Sequence, residues 1–341
     1  MRKVEGLRWA TLAAVALGVC AGYGQSSPQL SGSVKLDGSS TVYPITAATA
    51  ELFGEVQPRV QVTVGISGTG GGFKKFLDAK AELRTDVSDA SRPIKPTELA
   101  RAKEVGVEFI EIPIAYDGIA VMVNPRNTWC DTLSLAELKK IFEPGSKIDN
   151  WKDIRPGFPD QPLKIFAPSS DNGTYDYFVE AVIGGKAKTL RSDPVYSASA
   201  TQTANVQGIA GDKGALGFFG FSYYENNRDR LKLLAIDNGD GKPLKPSLDA
   251  IRANTYTPLS RPLFLYVNRT AADRPEVAAF VTFLLKNPVK IVEHPKVGYV
   301  ALPPEMYEIG MQRLEKRITG TVYEDEHAVH QPLSAVFKPL E

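Results

Sequence analysis

Three short segments carry residue types whose spacing suits the grip of a small oxyanion. Asp37-Gly38-Ser39-Ser40-Thr41 follows an apolar run at 34–36, and Ser67-Gly68-Thr69-Gly70-Gly71-Gly72 follows the alternating run 60–66. Ser169-Ser170-Asp171-Asn172-Gly173-Thr174 follows a third apolar run at 163–166. Each is succeeded by apolar residues at helical spacing. These are Ile45, Ala48, Thr49, Leu52 and Phe53 after the first, Phe73, Phe76 and Leu77 after the second, and Tyr175, Phe178, Val179, Val182 and Ile183 after the third. A helix start exposes unpaired N–H groups and a partial positive charge. Glycine lets that backbone approach an anion, and Ser/Thr hydroxyls add rotatable donors. One such turn is ordinarily an N-cap and nothing more. A run of three glycines exceeds what a cap needs, and open α/β sheets take their ligands at strand ends. Neither nucleotide fingerprint fits: Phe73 stands where G-x-G-x-x-G wants glycine, and no G-x-x-x-x-G-K-[ST] occurs.

Asp89 and Arg92 lie in a small, polar stretch at 85–94 that reads as a loop. A carboxylate suits an anion site only if the ligand brings a proton. Phosphate does so near neutral pH, whereas sulfate has none to donate. A ligand without the donor would meet an uncompensated charge, so rejection can be strong. The plainer reading is an Asp–Arg surface pair or a turn residue.

The elements that position these turns alternate strand-like and amphipathic segments, which predicts an α/β fold. Strand-length runs occupy 60–66, 118–123, 163–166, 215–221 and 263–267, and helical spacing covers 136–142 and 276–285, the latter opened by Pro275. The 341 residues contain 40 Lys+Arg against 39 Asp+Glu, a net charge of +1, and are 43% hydrophobic. That balance argues against a nucleic-acid binder and against disorder. The 2 Cys preclude a disulfide scaffold or a Cys-rich zinc site, and the 3 His leave little for His-dependent catalysis. No cofactor is expected.

Residues 1–24 read as a secretory signal, with Arg2, Lys3 and Arg8 before an apolar run at 9–19 and small residues after it. The run is shorter than the ~18 residues of a membrane span, and a buried N-terminal helix is the alternative. Val19-Cys20 resembles a lipobox, although Val19 departs from its usual small residue. Cleavage after Ala21 or Gly24 is the other outcome. The expected localisation is therefore the bacterial periplasm or cell envelope, soluble or lipid-anchored through Cys20. Cys130 is left unpaired and reads as a buried, inert thiol. A linker follows at 25–32.

These segments, in this order, resemble the phosphate-binding subunit of the bacterial Pst-type ABC phosphate importer, over roughly 34–318. Ser91-Arg92-Pro93, Asp171-Asn172-Gly173-Thr174 and Val206-Gln207-Gly208-Ile209-Ala210-Gly211-Asp212-Lys213 carry the likeness. The resemblance implies a class II periplasmic binding fold, with residues 33–116 and 259–320 in one lobe, 117–258 in the other, and an extension at 321–341. It implies a hinge near 116–118 and 257–261. Phosphate donors would be Thr41, the Val42 amide and adjacent Ser40, then Thr69 with Gly70, then Asn172, Gly173 and Thr174. Asp89 would accept the phosphate proton. Asn172 replaces the family's usual serine, and Pro168 stands where many members carry arginine, which makes Arg92 the candidate cation. The 199–205 stretch lacks the acidic residues expected of this branch. The implied partners are inorganic phosphate and ABC-importer permease subunits, with the receptor a monomer.

Three other readings stand beside this one. An exported phosphatase could use Ser40, Ser170 or Thr174 as nucleophile, but His294, His327 and His330 all lie far along the chain from the turns. His327-x-x-His330 reads as a solvated pair rather than a metal site. The same fold could instead receive sulfate, molybdate or tungstate. An adhesive role without a small ligand is the structural alternative. The tail from Thr321 shows little periodicity and reads as a weakly ordered extension.

Overall fold

A computed structural model of the chain describes residues 29–170, 172–184, 189–199, 201–323 and 331–339. The secretory reading of 1–24, with Cys20, and the pair His327 and His330 lie outside the described residues. Leu30 and Gly32 are already anchored: the Leu30 N–H donates to Gln57 Oε1 at 2.8 Å, and Gly32 opens the first strand.

The strands are β1 (Gly32–Gly38), β2 (Val60–Ile66), β3 (Val87–Ala90), β4 (Phe109–Val123), β5 (Thr132–Ser134), β6 (Lys164–Pro168), β7 (Tyr196–Ser199), β8 (Ala215–Gly220), β9 (Lys232–Leu233), β10 (Ala235–Asp237) and β11 (Ser260–Asn268). One sheet runs in the order β2-β1-β3-β11-β4-β8-β6-β7, with β9 also on β4, while β10 and β5 pair separately. β1 lies parallel to β2 and β3, and β6 lies parallel to β7 and β8. Between these parallel halves run β4 and β11, antiparallel to each other. β4 spans both halves: residues 109–118 pair with β11, and 119–123 pair with β8. Its fifteen residues are all buried.

The sequence pattern finds only the second part of β4. Glu111, Pro113 and Asp117 interrupt the apolar run at 109–117, yet each is buried. Glu111 keeps its place because Tyr266 and Thr321 hydroxyls each donate to it at 2.7 Å, and the Val322 N–H donates at 2.9 Å. A buried carboxylate needs such partners.

The helices that matter here are α1 (Tyr43–Val56), α2 (Thr69–Phe76), α3 (Pro96–Glu104), α4 (Leu135–Phe142), α5 (Gly173–Phe178) and α6 (Gln202–Gly211). Pro44 falls in the first turn of α1, where its missing N–H removes no helical bond. The helical spacing from Tyr175 to Ile183 resolves into α5 followed by one π-helical turn, Val179–Ile183. The helix at Pro275–Lys286 packs on α1, with Phe280 edge-on to Phe53 at 5.6 Å between centroids.

Two expectations are corrected. The stretch 85–94 is not all loop: Val87–Ala90 forms β3, buried between β1 and β11. Ser88 and Asp89 hide the strand from any hydrophobicity pattern, because its neighbours rather than its side chains make it a strand. The C-terminal extension is packed where it is described. Leu333 and Phe337 are each 1% exposed, and Phe337 sits against Phe264 and Tyr323 with Arg313 over its ring. Few aromatic residues spread over a polar tail make a good dock and a poor periodicity. Cys130 is buried and unpaired, and burial pushes its thiol up to about 12.

Candidate anion site

The first turn is placed by a close backbone approach. Gly38 ends β1 at φ 152°, and a Cβ there would lie 2.1 Å from the Asp89 carbonyl oxygen. Without that side chain the Ser39 N–H reaches the Asp89 carbonyl at 3.0 Å, which locks the turn to β3. Ser39 Oγ then accepts from the Thr41 N–H at 3.2 Å. Val42 is buried at the N-cap of α1.

The glycine run of the second turn divides its labour. A Cβ on Gly72 would stand 2.6 Å from Gly38 Cα, and one on Gly71 would stand 2.6 Å from Ser67 Oγ, so both serve packing. Gly70 alone of the run lines the cavity described below, facing Arg92. Thr69 Oγ1 accepts from the Ser91 N–H at 3.2 Å and lies 3.1 Å from Ser91 Oγ.

Ser40, Thr41, Thr69, Gly70 and Arg92 line one cavity of about 270 Å³, together with Asp176, Glu180 and Arg261. Asn172, Gly173 and Thr174 line an adjoining cavity of about 520 Å³, which Ser40 and Asp176 also reach. The partition between them is the contact of the first and third turns. Thr41 Oγ1 donates to the Gly173 carbonyl at 3.3 Å, and a Cβ on Gly173 would lie 2.7 Å from Thr41 Cα. Asn172 is the N-cap of α5, its Oδ1 accepting from the Thr174 N–H at 2.9 Å.

Asp89 is fully buried and lines neither cavity; it is tied to the first through its carbonyl, which accepts from the N–H of the cavity-lining Ser39. Thr46 Oγ1 donates to its Oδ2 at 2.9 Å, while Oδ1 has no hydrogen-bond partner among the described residues. Burial raises its pKa to about 7; the Thr46 hydrogen bond opposes that rise and nearby Asp37 adds to it. An orphaned buried carboxylate oxygen is costly unless something completes it.

Arg92 lines the cavity but gives its guanidinium to Glu98, with Nη1 and Nη2 each 2.8 Å from a carboxylate oxygen. It does not pair with Asp89. Arg261 is the cation that sequence reading assigned only to a hinge. Its Nη2 donates to Thr41 Oγ1 at 3.1 Å and its Nη1 to Glu180 at 2.8 Å, with the guanidinium 3.6 Å above the Tyr177 ring. The β4–β11 register sets Arg261 directly opposite Asp117, with Nε 3.7 Å from Oδ2. Asp117 is buried and neither of its oxygens has a hydrogen bond among the described residues; burial pushes its pKa up to about 6 against the pull of Arg261. One signal could have found this pair: an aspartate inside the apolar run 109–123, awaiting a cation from a neighbouring strand. Asp176 and Glu180, four residues apart, carried no such signal.

The hydroxyl of Ser40 donates to Asp176 Oδ2 at 2.6 Å. His294, the described histidine, accepts from the Lys296 N–H and does not line either cavity. No group of metal-ligating residues gathers among the described residues, and none of their helices is long and apolar enough to cross a membrane.

A family model described as a PBP superfamily domain matches residues 24–288. Protein SphX of Synechococcus elongatus is 42% identical over 307 residues, covering 89% of this chain and 88% of that protein. The phosphate-binding protein PstS of Staphylococcus saprophyticus is 36% identical, covering 89% of this chain and 91% of its own. A crystal structure of a possible phosphate binding protein from Planctomyces limnophilus is 43% identical with a TM-score of 0.79, covering 85% of this chain and all of that one. An ABC-type phosphate transport receptor from Vibrio cholerae, 22% identical with a TM-score of 0.59 over 80% of this chain, shares the fold. With strand-end turns meeting at Thr41 and Gly173 and relatives matched along nearly their whole length, the chain belongs to the PBP superfamily, in the family of the SphX and PstS proteins.

Proposed function

We propose that this protein is an exported, non-enzymatic receptor for inorganic phosphate that delivers its ligand to the permease subunits of an ABC importer. The observation that carries the reading is Asp89, a fully buried carboxylate with one oxygen left without a partner beside the first and second turns. A phosphate hydroxyl supplies what that oxygen lacks, and sulfate does not. The relatives named phosphate-binding support the same choice of anion.

In this reading Ser40, Thr41, Val42, Thr69, Gly70, Asn172, Gly173 and Thr174 furnish amide and hydroxyl donors from helix starts. The first N–H groups of α2 have no intrahelical acceptor and can turn to a ligand, whereas the Tyr43 N–H is held by the Ser39 carbonyl and the Thr174 N–H by Asn172 Oδ1. Arg92 and Arg261 contribute positive potential from the cavity wall. The anion reaches Asp89 when the Thr41–Gly173 contact opens to admit it, and the two halves of the molecule close again on the bound form. The receptor acts as a monomer, exported to the periplasm or cell envelope by residues 1–24.

Calorimetric titration of phosphate-stripped protein tests the proposal, with phosphate, sulfate and molybdate in separate runs. Saturable one-to-one heat with phosphate, far stronger than with the other two, is expected. No heat with phosphate would end this reading, and a preference for sulfate or molybdate would transfer the site to that anion.

A further inference from the structure

Every cation at the first cavity already holds a carboxylate. Arg92 is engaged by Glu98, and Arg261 by Glu180 with Asp117 at its back. Two side-chain donors that line it are likewise taken. The Ser40 hydroxyl gives its hydrogen to Asp176 at 2.6 Å, and Arg261 Nη1 gives one to Glu180 at 2.8 Å. Both acids come from α5 and the π-helical turn that continues it, four residues apart on one face, and both line the cavity. They reach donors on the opposite side of the cleft, in the β1–α1 turn and on β11.

We infer that Asp176 and Glu180 are specificity-determining residues, standing on Ser40 and Arg261 where an oxyanion's oxygens would stand. This rests on the phosphate reading above and adds to it. Two carboxylates in the cavity repel any anion, and a dianion twice as strongly as a monoanion. They also accept hydrogen bonds, so an anion that carries P–OH groups turns the same oxygens into partners. The groups facing the pair reinforce this. From the loop after β3 comes the Glu98-bound Arg92, from β4 Asp117 behind Arg261, from β11 Arg261, from α5 Tyr177, and from the adjoining cavity Lys296. Among the described residues, the cations lining the two cavities each hold a carboxylate except Lys296, which lines only the cavity beyond the Thr41–Gly173 contact. Selection against fully deprotonated anions is therefore shared between the buried Asp89 and two displaceable acids at the entrance.

The test is calorimetric titration of Asp176→Asn, Glu180→Gln and the double variant with phosphate and with sulfate, at neutral pH and fixed ionic strength. Glu180 is 62% exposed at its side chain, so its variant is expected to fold as the parent does. The double variant should bind sulfate about tenfold more tightly or better, with a smaller gain for phosphate, so that the phosphate preference falls. Asp176→Glu should keep the parent's preference, which a packing defect at that position would not. A parent that binds phosphate beside variants with unchanged preference overturns this inference alone. A parent that binds no phosphate overturns the phosphate reading and takes this one with it.

Discussion

Gly173 packs on Thr41 so closely that a single added methyl would stand 2.7 Å from Thr41 Cα and 3.0 Å from its nitrogen. Two strand-end turns separated by more than a hundred residues are thus in van der Waals contact, and the hydroxyl of Thr41 bonds the Gly173 carbonyl across the gap. Gly173→Ala tests how far binding depends on that fit. The atoms opposite are backbone and cannot swing away, so the turns must separate, at about 1–3 kcal/mol. Phosphate affinity in calorimetry should fall by about 5- to 150-fold. Unchanged affinity would mean that ligand-bound turns stand farther apart than these.

Asp89→Asn separates charge from shape. The amide is isosteric but cannot accept the phosphate proton as a carboxylate does, so phosphate should weaken by about 1.5–3 kcal/mol, the worth of a hydrogen bond to a charged group. Sulfate, which the carboxylate repels, should gain. Competition titrations with both anions read the two effects together, and equal selectivity in variant and parent would remove Asp89 from the recognition scheme.

The ligand-free protein should lose stability as pH rises. Asp89 goes from 3.8 to about 7 on folding and Asp117 from 3.8 to about 6, so in both cases the folded state binds protons that the unfolded state has released. The stability this lends is fully present below about pH 4 and is lost as pH climbs through the folded values. At about 1.4 kcal/mol per unit, the Asp89 share approaches roughly 4 kcal/mol. Above the acid range in which the depressed carboxylates Asp131, Glu137, Asp160, Asp212 and Asp273 titrate, thermal unfolding of phosphate-stripped protein up to mildly alkaline pH should show a falling Tm, flattened in its upper part by Asp89→Asn. A Tm that climbs over that interval would contradict the assignment.

Arg261→Met should leave Asp117 buried without its cation. Breaking a buried pair from one side costs about 3 kcal/mol, because the remaining charge has lost its compensation. Arg261→Met combined with Asp117→Asn should recover much of the loss. Denaturant titrations of the single and double variants give the coupling directly, and additive losses would show that the two residues act apart.

Much of the fold could be read along the chain because its signals are local. Alternation at 60–66, the 3.6-residue spacing after each turn and Pro275 at a helix start depend on neighbours within a turn or two. The features that escaped are those in which side-chain character and environment disagree. β3 carries Ser88 and Asp89 yet lies between two strands, and the first half of β4 buries Glu111 and Asp117. Hydrophobic pattern cannot mark a strand that buries polar residues, whether partnered like Glu111 or, like Asp117, held only beside a cation. The tail was misread for the same reason, since Leu333 and Phe337 are too sparse to show a period.

For the site, the amino-acid sequence by itself determined where bare helix starts follow strands, which glycines permit close approach there, and that a carboxylate lies beside them. It could not rank the cations. Arg92 looked available beside Asp89, but a bidentate bond to Glu98 holds it, and the β4–β11 register delivers Arg261 to Thr41 instead. Nor could it place Asp176 and Glu180 on Ser40 and Arg261. Those are contacts between residues far apart in the chain, created when the sheet sets the strand ends side by side. Helix starts and turns are properties of a few consecutive residues; which charge faces which is a property of packing, and only the tertiary structure decided it.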